Sequence, residues 1–177
     1  MPVLVVVAGP QASGKSTIAQ SLGDALRRQG ERVAVVELDA IAAMALPTLP
    51  GWEAAHRIFE TVTALWAGTE LTCVIAEGSG SQAEVTRVIE AAPPDVSTLT
   101  VAVTTTLASA YARAAADPTR GISRNYDFLE DVYARWPKEL ERMAPDLLLD
   151  TSQVDLSTSV ATVMREVWQR LEPEPTG

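Results

Sequence analysis

Five short runs of apolar, largely β-branched residues punctuate the chain: Val3 to Ala8, Val33 to Leu38, Leu71 to Ala76, Leu99 to Thr104 and Leu147 to Leu149. Each is nearly continuous in apolar character, the pattern of strands covered on both faces in a parallel sheet. Between them the apolar spacing lengthens to that of helices. Residues 15–30 place Ile18, Leu22, Ala25 and Leu26 on one stripe and stop at Gly30. Residues 81–94 carry Val85, Val88 and Ile89 ahead of a Pro-Pro pair. Residues 125–136 set Phe128, Leu129, Val132, Tyr133 and Trp136 on one side, and Pro137 is expected to interrupt or kink the helix beyond that point. A last helix is expected from Leu156 to Leu171, then a frayed tail. The Pro-rich stretch Leu46 to Gly51 reads as a surface loop between two helical pieces.

Alternating strand and helix predicts an α/β layered sheet with right-handed crossovers. Ligands of such sheets gather at the carboxyl ends of the strands. Three chemically loaded positions fall there: the glycine-bearing segment after the first run, Asp39 after the second and Glu77 after the third. No repeat, low-complexity segment or interdomain linker interrupts the chain, so one domain over residues 1–172, with a tail over 173–177, is expected.

The segment "GPQASGKST", residues 9–17, satisfies G-x-x-x-x-G-K-[ST] in the setting that gives it meaning, a strand before and an amphipathic helix after. Its glycines let the backbone curl so that successive N–H groups face inward, and the next helix adds the positive end of its dipole. Gly9, Pro10, Gln11, Ala12, Ser13, Gly14, Lys15, Ser16 and Thr17 are therefore candidate nucleotide-binding residues. Lys15 would reach the β and γ phosphates, Ser16 would ligate Mg²⁺ and Thr17 could support the α phosphate. The structural alternative is a glycine-rich turn with an exposed lysine.

Neither the N/T-K-x-D guanine motif nor a D-x-x-G switch occurs, which disfavours a GTPase, and a motor ATPase usually needs a longer chain for its remodelling parts. Small kinases need a phosphate loop, an acid near the acceptor and an arginine-bearing lid. Asp39 can take the acceptor hydroxyl's proton, orient Mg²⁺ through water, or cap the next helix. Glu37 alternates to a different environment along the strand. Glu77 stands where an acid holds the metal through water, or is a rim carboxylate that is solvated or paired with a lysine. Gly78 and Gly80 read as a flexible turn able to approach an acceptor. Arg113, Arg120 and Arg124 surround an Asp-Pro break and a glycine, the makings of a lid around residues 113–125, although each alone also suits a charged helical surface.

Composition narrows the partners. The formal net charge is −9, which repels a polyphosphate backbone, so no nucleic-acid partner is expected. No apolar run is long enough to span a bilayer, and the first residues lack the basic region and cleavage site of a secretory signal. The one cysteine, Cys73, lies inside an apolar run and reads as a buried, inert thiol; a reducing, cytoplasmic setting fits. With one cysteine and one histidine there is no metal-type Cys/His spacing, and His56 reads as a helix-surface or packing residue.

Through "GPQASGKST", "VVELDA", "VIAEGSG", "RAAADPTRGISR" and "LLLDTSQ" the chain resembles the small phosphate-loop kinases over nearly its whole length. That broad group holds chloramphenicol phosphotransferase, adenylylsulfate kinase, gluconate kinase and shikimate kinase, the first being most similar in size and layout. The resemblance implies a P-loop NTPase fold with a five-stranded parallel sheet in the order 2-3-1-4-5 flanked by helices. It also implies ATP with Mg²⁺, Asp39 as the base, Arg113, Arg120 and Arg124 in the lid, and an adenine site near Asp150 to Gln153. Catalytic roles are thus expected for Lys15, Asp39, Arg120 and Arg124, nucleotide contact for Arg113, and metal contact for Ser16 and Glu77. The sequence "LDA" departs from the D-G-D type of adenylylsulfate kinases, and the further acids and arginines of shikimate kinases are not evident there. Met44, Leu46, Trp52, Phe59 and Trp66 are expected either to wall an acceptor site for an uncharged, alcohol-bearing molecule or to pack the core. The expected activity is ATP-dependent phosphorylation of a small-molecule hydroxyl; a nucleoside or nucleotide kinase and a non-enzymatic nucleotide-gated binding protein are the alternatives.

Overall fold

The computed structural model describes residues 2–171. In chain order the elements are β1 (Val3–Ala8), α1 (Lys15–Arg28), β2 (Val33–Glu37), α2 (Leu38–Ala43), α3 (Trp52–Ala67), β3 (Cys73–Glu77), α4 (Gln82–Ala91), β4 (Ser97–Thr104), α5 (Leu107–Ala116), α6 (Tyr126–Met143), β5 (Leu147–Asp150) and α7 (Leu156–Leu171), with a 3₁₀ turn at Ile122–Arg124 before α6. The tail expected over 173–177 lies outside the described residues.

The five strands form one sheet in the order β2-β3-β1-β4-β5, and every pair is parallel. This is the expected P-loop NTPase arrangement. The long apolar runs become central strands because both faces are covered. On one face Val3, Val5, Val7, Ile75, Leu99, Val101 and Val103 pack against Ile18, Leu22 and Leu26 of α1 and Val160, Val163 and Val167 of α7. On the other, Leu4, Val6, Val74 and Ala76 pack against Leu38 and Ala42 of α2, Phe59 of α3 and Val85 and Val88 of α4. Burying each such side chain contributes about 1.5–3 kcal/mol, so β1, buried along its whole length, anchors the loop that leaves it. Register brings the strand ends level: Glu77 pairs with Val7 on one side and with Glu37 on the other.

Three expectations about elements change. The third strand ends at Glu77 itself, and the second stops at Glu37, with Leu38 already helical. Pro137 does not interrupt α6, which runs on to Met143. An interior proline costs a helix about 3 kcal/mol. Here tertiary contacts hold both sides of it: Leu129 and Trp136 are buried, Trp136 Nε1 donates to Thr104 Oγ1 at 3.1 Å, and Glu139 Oε2 accepts from the Gln82 amide at 2.9 Å.

Candidate functional site

The loop between β1 and α1 is forced by backbone demands. A Cβ on Gly9 would overlap the Val103 carbonyl oxygen, so no larger residue fits at the strand exit. Gly14, immediately before α1, has φ 101°, a left-handed conformation that glycine adopts at little cost. No side chain caps α1. Its first amides are left for an external acceptor, and the helix dipole favours that acceptor being an anion.

The loop is held open from outside by its carbonyls. Tyr133 Oη donates to the Gln11 carbonyl at 3.1 Å, Arg113 Nη1 to the Ser13 carbonyl at 3.1 Å, and Thr151 Oγ1 to the same Ser13 carbonyl at 2.7 Å. In a trans peptide the N–H points opposite its C=O, so tying these carbonyls outward turns the Ala12 and Gly14 amides inward. Ser13 Oγ is buried without a hydrogen-bond partner among the described residues. A loop whose amides turn inward at the start of an uncapped helix fits an oligophosphate.

Lys15 Nζ lies 3.3 Å from Glu77 Oε1, and the Glu77 side chain is only 3% exposed. Burial pushes the Glu77 carboxyl above its ordinary range; Lys15 opposes this, while Asp39 and Glu37 add to it. Because its folded-state pKa is raised, folded protein binds more protons than unfolded protein between the two values, and stability falls as pH rises through that window. Glu77→Gln should remove this loss. The melting temperature of the wild type relative to Glu77→Gln is expected to decline as pH rises above the ordinary glutamate range, and a constant difference would contradict the assignment.

Asp39, in the first turn of α2, is exposed on the same rim. It lines a cleft of about 330 Å³ together with Gln11, Ala12, Gly14, Lys15, Ser16, Thr17 and Arg120. Its carboxylate forms no capping hydrogen bond among the described residues, and Glu37 occupies the N-cap position without bonding an amide. Arg120 Nε stands 3.3 Å from Asp117 Oδ2 across the turn that roofs the cleft.

Two further clefts border this one. One of about 390 Å³ shares Ala12, Gly14, Thr17 and Arg120 with it and adds Arg113, Thr151, Val154 and Leu156. The other, of about 260 Å³, shares Gln11 and adds Pro10, Ser79, Gly80, Ser81, Arg135 and Trp136. Arg124 is exposed and lines none of the three.

No protein-family model matches the chain, and no curated protein matches its sequence. Solved structures do match. A sugar kinase from Janibacter sp. superposes with TM-score 0.66 at 18% identity, covering 98% of this chain and 100% of that one. A gluconokinase from Sinorhizobium meliloti gives TM-score 0.63 at 14% identity, with 96% and 97% covered. A shikimate kinase from Acinetobacter baumannii in complex with shikimate gives 0.61 at 17%, with 96% and 94% covered. The chain has the fold of small phosphate-loop kinases.

Within this kinase fold several sequence expectations move. Arg113 belongs to α5 and grips the loop's carbonyls and Thr151 as well as lining the 390 Å³ cleft, so it shapes the cup directly. Gly78 and Gly80 are closely packed positions: a Cβ on Gly78 would overlap Glu84 Oε1, and one on Gly80 would stand 3.1 Å from the Gly9 carbonyl oxygen. Phe59 is core, while Met44, Leu46, Trp52 and Trp66 are exposed and line none of the three clefts. Of the two expectations for this stretch, core packing holds for Phe59, which α3 turns down onto the sheet. Glu37 also lines none of them.

Tyr133, Trp136, Arg135 and Glu84 belong to no motif, and Thr151 enters only through the segment Asp150 to Gln153. Their only sequence signal is position: Tyr133 and Trp136 lie on the apolar stripe of α6, and Thr151 comes directly after the last strand. Cys73 is buried, its thiol pushed up to about 12 mainly by burial, as its place in an apolar run predicts. Among the described residues no cluster of three metal-ligating side chains occurs, and no helix is long and apolar enough to cross a membrane.

Proposed function

We propose that this protein is an ATP-dependent kinase of a small, hydroxyl-bearing molecule. The observation that carries the reading is the 330 Å³ cleft, which collects the phosphate loop, Lys15, Ser16, Asp39 and Arg120 on one surface. ATP would supply the transferable γ-phosphoryl group, and Mg²⁺ its counter-charge. The inward amides and Lys15 would hold the phosphates, and Ser16 and Glu77 are the residues that would hold the metal. Asp39 takes the proton that the acceptor hydroxyl gives up, and Arg120 neutralises charge and excludes water from above.

The three clefts support an order of binding places. The base and ribose suit the 390 Å³ cleft beside Arg113 and Thr151, in line with the adenine segment expected at Asp150 to Gln153. The body of the acceptor suits the 260 Å³ cleft, where Trp136 offers an apolar face and Arg135 and the loop residues Ser79 and Ser81 offer polar ones, with its reacting hydroxyl directed past Gln11 toward Asp39 in the 330 Å³ cleft. A compact polyhydroxy metabolite fits this lining, and a chloramphenicol phosphotransferase-like preference for a drug-sized alcohol is the finer reading that the sequence layout supports. The test is ADP release from MgATP in the presence of gluconate, shikimate, chloramphenicol, other alcohols, nucleosides and nucleoside monophosphates. Acceptor-stimulated release with an alcohol is expected. Stimulation by nucleosides or monophosphates alone would make it a nucleoside or nucleotide kinase, and MgATP binding with no stimulation by any class would make it a binding protein.

A further inference from the structure

We propose that Glu84, backed by His56, is a positioning residue that fixes the loop Gly78 to Ser81 as one wall of the acceptor cleft. The role in turnover rests on the kinase reading above, whereas the grip on the loop can be tested without it.

Glu84 occupies the third position of α4 and is only 2% exposed. A glutamate there ordinarily reaches back to the N-cap amide, in this helix that of Ser81. Glu84 reaches further. Its Oε1 accepts a hydrogen bond from the Ser79 amide at 2.6 Å, and its Oε2 meets Nδ1 of His56, which comes from α3, 28 positions away. The buried carboxylate thus serves the loop ahead of the helix.

An unpaired buried carboxylate is costly, so a position that needed only helix initiation would be filled more cheaply by an exposed residue. The second partner from α3 removes that cost and pins the carboxylate in place. Glycine at 78 is what lets the loop lie against it, since a Cβ there would overlap Oε1. On the opposite side a Cβ on Gly80 would stand 3.1 Å from the Gly9 carbonyl oxygen and 3.3 Å from Trp136 Cζ3. The loop is therefore clamped between Glu84 and the start of the phosphate loop, and its Ser79, Gly80 and Ser81 line the 260 Å³ cleft. Glu84 and His56 line none of the three clefts and act only through that loop.

The experiment compares wild type, Glu84→Ala, Glu84→Gln and Gly78→Ala as full chains. Glu84→Ala removes a hydrogen bond to a charged acceptor, so exchange of the Ser79 amide with deuterium should accelerate about ten- to hundredfold. MgADP affinity, measured by calorimetry, should stay within about twofold, since the loop carbonyls that shape the phosphate cup are held by Tyr133, Arg113 and Thr151. With whichever of gluconate, shikimate or chloramphenicol is turned over, the acceptor KM should rise about tenfold while the KM for ATP holds. Glu84→Gln keeps an acceptor oxygen for Ser79 and should restore both exchange protection and acceptor KM. Gly78→Ala displaces the carboxylate without deleting it, should show the same faster Ser79 exchange and raised acceptor KM, and stands in for the alanine variant should that one fail to fold.

Unchanged Ser79 exchange in Glu84→Ala, or in Gly78→Ala if the former does not fold, overturns the proposal. So does an acceptor KM that stays fixed while the ATP KM rises, or a glutamine variant that folds yet behaves as alanine does. If MgADP binds but none of the three compounds is turned over, the acceptor reading fails by itself and the exchange result decides the grip on the loop.

Discussion

Replacing Asp39 with asparagine is expected to lower acceptor-dependent turnover by about 10²- to 10⁴-fold, the range lost with a general base, while MgADP affinity stays within a few-fold. Asparagine matches the shape of aspartate and keeps the first turn of α2 intact, but it cannot hold the hydroxyl's proton. The carboxylate shares its cleft with Lys15, Ser16 and Thr17 and makes no capping hydrogen bond among the described residues. A mere helix-starting role is therefore poorly supported, and it would show as a small loss of melting temperature with turnover unchanged. A role in orienting Mg²⁺ would appear instead as a raised Mg²⁺ requirement that excess metal relieves. Measuring kcat, the Mg²⁺ dependence and melting temperature on one preparation separates these roles, and full turnover in Asp39→Asn would remove the base from the mechanism.

Lys15→Met should have two separable consequences. The first is loss of nucleotide binding: removing one partner of a buried, hydrogen-bonded charge pair costs about 2–5 kcal/mol, or about 30- to several-thousand-fold in MgADP affinity. The second concerns the nucleotide-free protein. Lys15 is the cation 3.3 Å from the buried Glu77 carboxylate, and stranding that carboxylate should destabilise the fold by about 3–5 kcal/mol at neutral pH. Without the lysine, burial and the neighbouring Asp39 and Glu37 push the Glu77 carboxyl higher still, so the loss should shrink toward acid pH, where Glu77 is protonated in both states. Adding Glu77→Gln to Lys15→Met should recover most of the stability and none of the nucleotide affinity. Denaturant unfolding and calorimetry on the single and double variants check this; recovery of affinity by the double variant would mean that Lys15 serves the carboxylate and not the phosphates.

Both variants concern residues that a linear reading identifies, and the reason is physical. A phosphate loop is a local demand on the backbone: a strand, a left-handed Gly14, a tightly packed Gly9 and an uncapped helix start occupy one stretch of chain and leave their mark in it. Asp39 and Glu77 are legible for a related reason, because a parallel sheet brings the ends of its strands to one rim and each acid closes an apolar run. Arg113, Arg120 and Arg124 are legible only as a group. Arg120 reaches the cleft, Arg113 grips loop carbonyls, and Arg124 stays out of all three clefts, distinctions set by how α5 and the 3₁₀ turn pack.

What the amino-acid order settles alone is the set of strands, the phosphate cup and the acids at the rim, since each follows from burial period or backbone conformation within a few neighbouring residues. Which residues line the clefts around the loop is decided only in three dimensions. Tyr133 reaches Gln11 across 122 positions, Thr151 reaches Ser13 across 138, and Glu84 finds His56 across 28. Such pairings depend on how helices settle against the sheet, and no local pattern encodes the distance between two elements. The same packing turns Phe59 from a candidate wall into core and carries α6 through Pro137, because contacts on both sides of the proline outweigh its local preference to end the helix.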